Sequence, residues 1–105
     1  MENKTFDELI PLVTEWARER GILQADFARK QMLKVLEEVG ETRHALLRNN
    51  SEKTKDGIGD TFVTLIILAM QLGYTPAECL ATAWEEIKDR KGKVVNGIFV
   101  KDENG

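Results

Sequence analysis

The chain has 105 residues, of which 42% are hydrophobic and 31% charged, with a net charge of −3. This length and composition predict one soluble domain, residues 1–105, with a single hydrophobic core. The net negative charge argues against a protein that binds a nucleic acid polymer by neutralising its phosphates. The one cysteine, Cys79, precludes an intramolecular disulfide and favours a reducing, cytoplasmic location.

The first predicted helix runs from near Thr5 to Gly21, because Thr5 and Glu8 have the spacing of a capping box and glycine often follows a helix end. A second helix is predicted from about Asp26 to Arg48. One apolar stripe on it should face the core, with Lys34, Glu38 and Glu41 roughly opposite. The stripe consists of Met32, Val35, Leu36, Val39 and Leu46.

A third helix should follow the turn at Asn50, with Ser51 as its cap and Gly73 at its end. From Phe62 to Met70 it is apolar nearly all round, which predicts a helix buried on every side. This run is too short to span a bilayer, so no membrane partner is expected.

The chain should end with a fourth helix and a hairpin. Thr75, Pro76 and Glu78 form the strongest helix start in the chain, and that helix should run to about Lys91. Asn96-Gly97 between β-branched residues predicts a type I′ turn. The predicted fold class is therefore all-α, a four-helix bundle with a short C-terminal β-hairpin.

Two pairs of acidic residues on the second and third helices are the candidate functional groups. Glu38 and Glu41 lie three residues apart, and Asp56 and Asp60 lie four apart, so each pair shares a helix face. An antiparallel hairpin of the two helices would bring the pairs to the same height. The four carboxylates would then suit Mg²⁺, or they would pair with lysine or arginine.

Glycines accompany both acidic pairs. Gly57 and Gly59 stand in the early turns of the third helix, where each costs roughly 1 kcal/mol relative to alanine. They either let another backbone approach or leave room for a ligand. Gly40, on the second helix, suggests that the two helices cross closely there.

These motifs resemble those of the MazG-like all-α nucleoside triphosphate pyrophosphohydrolases. The resemblance rests on Glu38-x-x-Glu41, on Gly59-Asp60 before an aliphatic helix, and on the ending from Trp84 to Val100. It implies hydrolysis of a (d)NTP to the (d)NMP and pyrophosphate with Mg²⁺, or with Mn²⁺ in its place. It also implies a homodimer or a dimer-based homotetramer.

The chain departs from the family pattern at Gly57, where a glutamate is usual, and Asp56 is the natural substitute as a ligand. The resemblance implies metal ligation by Glu38, Glu41 and Asp60, and we expect Asp56 as the fourth ligand because it lies one helical turn before Asp60. It also implies catalytic roles for Glu37, Glu38 and Glu41, with Glu37 or Glu41 accepting the proton of the attacking water. Substrate phosphates would be bound by Lys34, Arg90, Lys91, Lys93 and Asn96. Trp16, Phe27 and Trp84 are candidates for stacking on the base, although each also suits the core.

Two other classes of protein remain open. Glu41 and His44 have the Glu-x-x-His spacing of di-metal carboxylate bundles, but this chain has one histidine and only a dimer could complete such a site. The other alternative is a non-catalytic helical interaction module in which the acidic pairs form salt bridges.

Overall fold

A computed structural model describes residues 3–103; the predicted domain 1–105 extends two residues further at each end, outside the described residues. The helices are α1 (Phe6–Glu19), α2 (Ala28–Leu47), α3 (Ser51–Gln71) and α4 (Pro76–Ile87), and a 3₁₀ turn (Ala25–Phe27) precedes α2. Strands β1 (Gly92–Val95) and β2 (Ile98–Lys101) pair antiparallel. The predicted all-α bundle with a C-terminal hairpin is confirmed.

The helix ends follow from local hydrogen bonds. Thr5 and Thr75 both form the predicted capping boxes, with Glu8 and Glu78 respectively. The cap of α3 is Asn50 and not Ser51, because the Asn50 side chain accepts a 3.1 Å hydrogen bond from the backbone N–H of Lys53. The last helix ends at Ile87, four residues before the predicted end, and the chain then turns into β1.

The hairpin turn has the predicted chemistry. Asn96 has φ +51° and Gly97 has φ +80°, the two left-handed conformations that a type I′ turn requires. Asn96 therefore has a structural reason to be present, because asparagine tolerates this conformation better than most residues.

Helix α3 lies at the centre of the molecule and contacts α1, α2 and α4. Its packing against α2 is the most extensive in the chain. The Gln31 amide on α2 donates to the Thr64 carbonyl on α3, and nearer the turn Thr42 lies against Gly57. Because later residues of α2 meet earlier residues of α3, the two helices run antiparallel, as the acidic pairs required.

The face of α2 that packs on α3 is not the predicted apolar stripe. Val35 of the stripe is buried, but so are Glu38 and Ala45, and Gln31 and Thr42 are half-buried. These positions repeat at spacings of four and three residues and form one helix face. The rest of the stripe is exposed, namely Met32, Leu36, Val39 and Leu46, with Leu36 at 58%. The prediction that Glu38 lies opposite the core was therefore wrong.

The chain also leaves more apolar surface open than a compact monomer would. Phe62 and Leu65 on α3 are exposed, against the prediction that this helix is buried on every side, and α4 exposes Leu80 and Trp84. The accessible surface is 8612 Å², against roughly 5,900 Å² for a compact monomer of this mass. The radius of gyration is 16.1 Å, against about 13 Å for a compact domain of this length.

None of the described helices is by itself long and apolar enough to cross a membrane. Helices α3 and α4 reach that length and composition only when they are taken together, across a bend of 100°.

The glycine at the close approach of α2 and α3 is not the one that was predicted. A Cβ added at Gly57 would clash with the Thr42 hydroxyl and lie 3.2 Å from the Thr42 Cα, so Gly57 marks the close approach of α2 and α3. Gly40 and Gly59 would meet no atom within 4 Å. The close crossing predicted at Gly40 was thus wrong, and the close approach lies at Gly57.

Gly57→Ala should destabilise the fold by about 1–3 kcal/mol, because the new methyl group forces α2 and α3 apart. The matched control is Gly59→Ala, which has open space and should gain up to about 1 kcal/mol from helix propensity. Urea denaturation followed by circular dichroism measures both. Equal stability of the two variants would contradict the close contact with Thr42.

Candidate functional site

Two cavities meet at Asp60, which lines both of them. The first, which we call the aromatic cavity, has a volume of about 640 Å³. The second, the acidic cavity, has a volume of about 710 Å³. The aromatic cavity is lined by Trp16, Ile22, Phe27, Lys30, Gln31, Lys34, Glu38, Asp60, Val63, Thr64, Ile67 and Gln71. The acidic cavity is lined by Glu37, Gly40, Glu41, His44, Ala45, Arg48, Asn50, Lys53, Asp56, Gly57 and Asp60.

Glu38 is held in place by a lysine one turn earlier on α2. The residue is 8% exposed, and its carboxylate lies 3.4 Å from the Lys34 ammonium, which is also 3.4 Å from Glu37. Bonding to Glu38, followed by the charge of Glu37, raises the pKa of Lys34. The buried carboxylate of Glu38 thus has the cationic partner that burial demands.

Asp60 lacks an equivalent partner among the described residues and is surrounded by like charge. Burial, followed by the carboxylates of Asp56 and Glu38, raises the pKa of Asp60, and Lys34 opposes this only as the smallest influence. Crowded carboxylates favour either a proton or a bound cation. Asp60 is therefore the point in the site where added positive charge would be stabilised most.

The other predicted carboxylates surround Asp60 on the side of the acidic cavity. Asp56 lies one turn before it on α3, and Glu37 and Glu41 line the same cavity from α2. All three are exposed, and Glu37 is also paired with Lys34. The structure thus brings Glu37, Glu41, Asp56 and Asp60 to one cavity, while Glu38 reaches Asp60 from the aromatic side.

Thr42 explains why a glutamate at position 57 does not suit this fold. Its hydroxyl fills the space beside Gly57 and donates a 2.7 Å hydrogen bond to the Glu38 carbonyl. A side chain at residue 57 would therefore meet α2 before it reached the acidic cavity. Asp56, by contrast, already lies in that cavity.

The carboxylates have the right chemistry for a divalent ion but do not form a finished cage. Within residues 3–103, no three histidine, cysteine, aspartate or glutamate side chains are gathered closely enough to hold a metal ion as they stand. Hard oxygen donors around a carboxylate of raised pKa do suit Mg²⁺. Turning the exposed members inward would cost side-chain entropy of about 1–2 kcal/mol each.

The predicted substrate-binding residues fall in two places. Lys34 lies between the aromatic cavity and the carboxylates. Arg90, Lys91, Lys93 and Asn96 follow α4 or belong to the hairpin, and they line neither cavity. The Arg90 Nε is buried without a hydrogen-bond partner among the described residues. One chain by itself therefore does not bring this group to the acidic residues.

Several groups that line the two cavities were not predicted from the sequence. Arg48 and Lys53, at the α2–α3 turn, add positive charge to the acidic cavity beside His44. Lys30 and two glutamines, Gln31 and Gln71, line the aromatic cavity. The signal for Gln71 was its spacing, because it continues the helix face of Asp60, Thr64 and Ile67.

Of the three candidates for stacking on a base, Trp16 and Phe27 line the aromatic cavity, as that hypothesis requires, and Trp84 does not.

A comparison with known proteins found one relative of limited coverage. The chain is 38% identical over 66 residues to an "Uncharacterized 18.2 kDa protein in rep-hol intergenic region" of Haemophilus phage HP1, strain HP1c1. The match covers 63% of this chain and 40% of the phage protein. No protein-family model and no solved structure matches the chain.

Asp60→Asn should stabilise the metal-free protein at neutral pH, because it removes a half-buried charge from beside Asp56 and Glu38. The pKa of Asp60 in the folded state lies above the usual value for an aspartate. The penalty is therefore absent below the unfolded-state pKa, where both states are protonated, and grows as the pH rises through the folded-state pKa. An increase of about 1 kcal/mol in the free energy of unfolding should raise Tm by roughly 4–8 °C.

Thermal unfolding of Asp60→Asn and the parent protein at pH about 4 and about 7 measures this difference. Glu52→Gln, an exposed carboxylate on the same helix outside both cavities, is the control and should leave Tm nearly unchanged. An advantage of Asp60→Asn that is as large at the lower pH as at the higher would contradict charge crowding as its cause.

Proposed function

We propose that this protein is a Mg²⁺-dependent nucleoside triphosphate pyrophosphohydrolase that converts a (d)NTP to the (d)NMP and pyrophosphate. The observation that carries the proposal is the position of Asp60. It lies in a group of carboxylates from two helices and at the junction with a cavity that has aromatic and cationic walls. A nucleotide has a flat apolar base at one end and a polyanion that needs a metal at the other. The resemblance to MazG-like enzymes supports the same proposal.

Glu38, Glu41, Asp56 and Asp60 would hold the ion, and Glu38 would exchange part of its contact with Lys34 for it. When bound, Mg²⁺ neutralises phosphate charge and lowers the pKa of an attacking water. Glu37 or Glu41, both exposed in the acidic cavity, would accept the proton of that water. Lys34, released in part from Glu38, would then face the phosphates.

The pyrophosphate that leaves carries high negative charge and needs cations beyond Lys34. Arg48 and Lys53 line the acidic cavity of the same chain. Arg90, Lys91, Lys93 and Asn96 would join them only if a second copy brought its hairpin to this cavity. We therefore propose that the complete site forms in a homodimer, or in a homotetramer built from such dimers, inside the cytoplasm.

The open surface of the chain supports this assembly. The excess of accessible surface over a compact monomer is roughly 2,700 Å² per chain. For two chains this is about 5,400 Å², at the upper end of the total area that obligate homodimers bury. The exposed stripe on α2 is apolar, and so are Leu80, Trp84 and Ile87 on α4. A second copy related by a two-fold axis would cover such surfaces on both chains at once.

A non-catalytic interaction module remains the second candidate, because Lys34 already neutralises Glu38 without a metal. In that case the acidic groups keep the protein soluble and form salt bridges, and the apolar stripe binds a partner protein. The di-metal alternative has less support, because Glu41 and His44 supply one Glu-x-x-His motif in this chain. Release of pyrophosphate that depends on Mg²⁺ separates the enzyme from both.

Glu38→Gln and Asp60→Asn should each reduce pyrophosphate release at least about 100-fold, because each removes a charge that the metal needs. Asp56→Ala should lower the rate of pyrophosphate release at limiting Mg²⁺, and a high Mg²⁺ concentration should restore part of that rate. The assay follows monophosphate and pyrophosphate from the common (d)NTPs with Mg²⁺ or Mn²⁺. Glu52→Gln is the control and should keep the parent rate.

Circular dichroism shows whether each variant keeps its helices. Activity retained in both folded Glu38→Gln and Asp60→Asn proteins would remove the proposed metal site. If the products were a nucleoside diphosphate and inorganic phosphate, cleavage would lie between the β- and γ-phosphates and would contradict the proposed cleavage between the α- and β-phosphates.

The parent protein should run as a dimer or tetramer in light scattering at micromolar concentration. Leu36→Asp, at the middle of the exposed stripe, should shift it toward a monomer of 11.9 kDa, because a charge in an apolar interface lacks a partner. Gln24→Glu, on the exposed connection before α2, is the control and should keep the assembly. A parent protein that is monomeric under these conditions contradicts the proposed dimer.

A further inference from the structure

One buried acceptor in the aromatic cavity has no hydrogen-bond partner among the described residues. Gln71 is 4% exposed, and its amide nitrogen donates a 3.0 Å hydrogen bond to the Ile22 carbonyl. This bond fixes the orientation of the amide, since turning it over would place two oxygens together. The Gln71 Oε1 is left buried and unpaired. Such an acceptor is costly, and proteins satisfy most of them.

The surroundings of Gln71 suit a flat ring. The cavity places Trp16 and Phe27 with the aliphatic side chains of Ile22 and Ile67, and its volume of about 640 Å³ is sufficient for a small ligand. Aromatic side chains bind nucleobases by stacking, whichever base is present. The choice among bases must therefore come from the polar groups of the cavity.

The two amide side chains of the cavity offer acceptors more readily than donors, and its cationic donors are Lys30 and Lys34 on α2. The amide nitrogen of Gln71 is turned to Ile22, and that of Gln31 is turned to the Thr64 carbonyl at 3.1 Å. At Gln71 the carbonyl oxygen of uracil or hypoxanthine would meet the unpaired Oε1 and not the amide nitrogen, which is bonded to Ile22. An exocyclic amino group, as in cytosine or adenine, would instead donate to the unpaired Gln71 Oε1, which is covered in the empty cavity and is reached once neighbouring side chains move to admit the base.

The distance along α3 agrees with a nucleotide that reaches from Gln71 to the carboxylates. Asp60, Thr64, Ile67 and Gln71 follow one another at spacings of four, three and four residues and line one wall of the cavity. Eleven residues of helix separate Asp60 from Gln71, a rise of about 16 Å. A base at Gln71 would thus leave its phosphates near Asp60 and Lys34.

We propose that Gln71 determines base specificity by accepting a hydrogen bond from the exocyclic amino group of a nucleobase, so that amino-substituted bases are preferred over their oxo counterparts. This inference rests on the proposed function, because it assumes that the cavity receives a nucleotide. Gln71 touches the base and takes no part in the cleavage of the phosphate chain.

Binding of nucleoside monophosphates tests this without any turnover. Titration calorimetry with Mg²⁺ compares dCMP with dUMP and dAMP with dIMP, pairs that differ in the amino or oxo group. The amino member should bind between about 5- and 100-fold more tightly in each pair, as expected when one buried acceptor is satisfied or left unpaired. Equal affinities within about twofold, or no binding of any of the four, would overturn the proposal.

Gln71→Met keeps the length of the side chain but removes the acceptor, and it should bring both ratios close to one. Gln24→Met is the matched control, because it also replaces a glutamine amide but lies outside both cavities. Gln24 is exposed, so the loss of its amide should leave the ratios unchanged. A folded Gln71→Met protein that keeps the preference would contradict the role of Oε1.

The two proposals fail in different ways. If the parent protein releases pyrophosphate but binds dCMP and dUMP equally, the role of Gln71 is wrong and the activity stands. If dCMP is preferred but no triphosphate yields pyrophosphate with Mg²⁺, the cavity binds amino-substituted nucleotides and the proposed hydrolysis is wrong. Should Gln71→Met fail to fold, the two ratios measured on the parent protein decide the matter.

Discussion

The close contact between α2 and α3 determines where the candidate acidic groups lie. At Gly57 the two helices approach so closely that the Thr42 hydroxyl occupies the space of a side chain. This contact fixes the antiparallel register, which sets Glu38 beside Asp60 and carries the acidic residues of both helices to one cavity. The same contact excludes a side chain at residue 57 and leaves Asp56 as the additional carboxylate of α3.

The polar character of the α2–α3 interface has an energetic consequence. Burying Glu38 requires Lys34, and placing Asp60 next to Asp56 and Glu38 raises its pKa. A protein selected for stability alone would fill these positions with apolar residues, since buried polar groups seldom improve on good packing. Local violations of packing rules are expected at functional sites. The charge crowding at Asp60 is therefore the strongest physical reason to expect a ligand there.

The polar inner face also explains the open shape of the chain. Because α2 turns Gln31, Glu38 and Thr42 toward α3, its larger apolar side chains face outward. Helix α4 adds further apolar residues that α3 covers only in part. The surface left exposed is of the size that obligate dimers bury. Assembly and site formation would thus have one origin, because the residues that form the site displace the apolar face from the interior of the chain.

The local structure of this protein follows from short-range signals in its sequence. Capping residues, the Asn96-Gly97 turn and long periodic segments gave the four helices and the hairpin, because these signals act over a few residues. The spacing of Glu38, Glu41, Asp56 and Asp60 also predicted that a helical hairpin would gather them, since the short turn allows only antiparallel neighbours.

Which side of each helix faces inward depends on tertiary packing and could not be predicted from the helix pattern. Helix periodicity separates an apolar face from a polar one, but it does not say whether that apolar face meets its own chain or another surface. That choice depended on Gly57, whose lack of a side chain lets α2 pack with its polar face inward. The tertiary structure likewise joined Gln71 to Ile22, 49 residues away in the chain, and left its oxygen unpaired. Such a pairing depends on the packing of distant segments, for which the local sequence carries no signal.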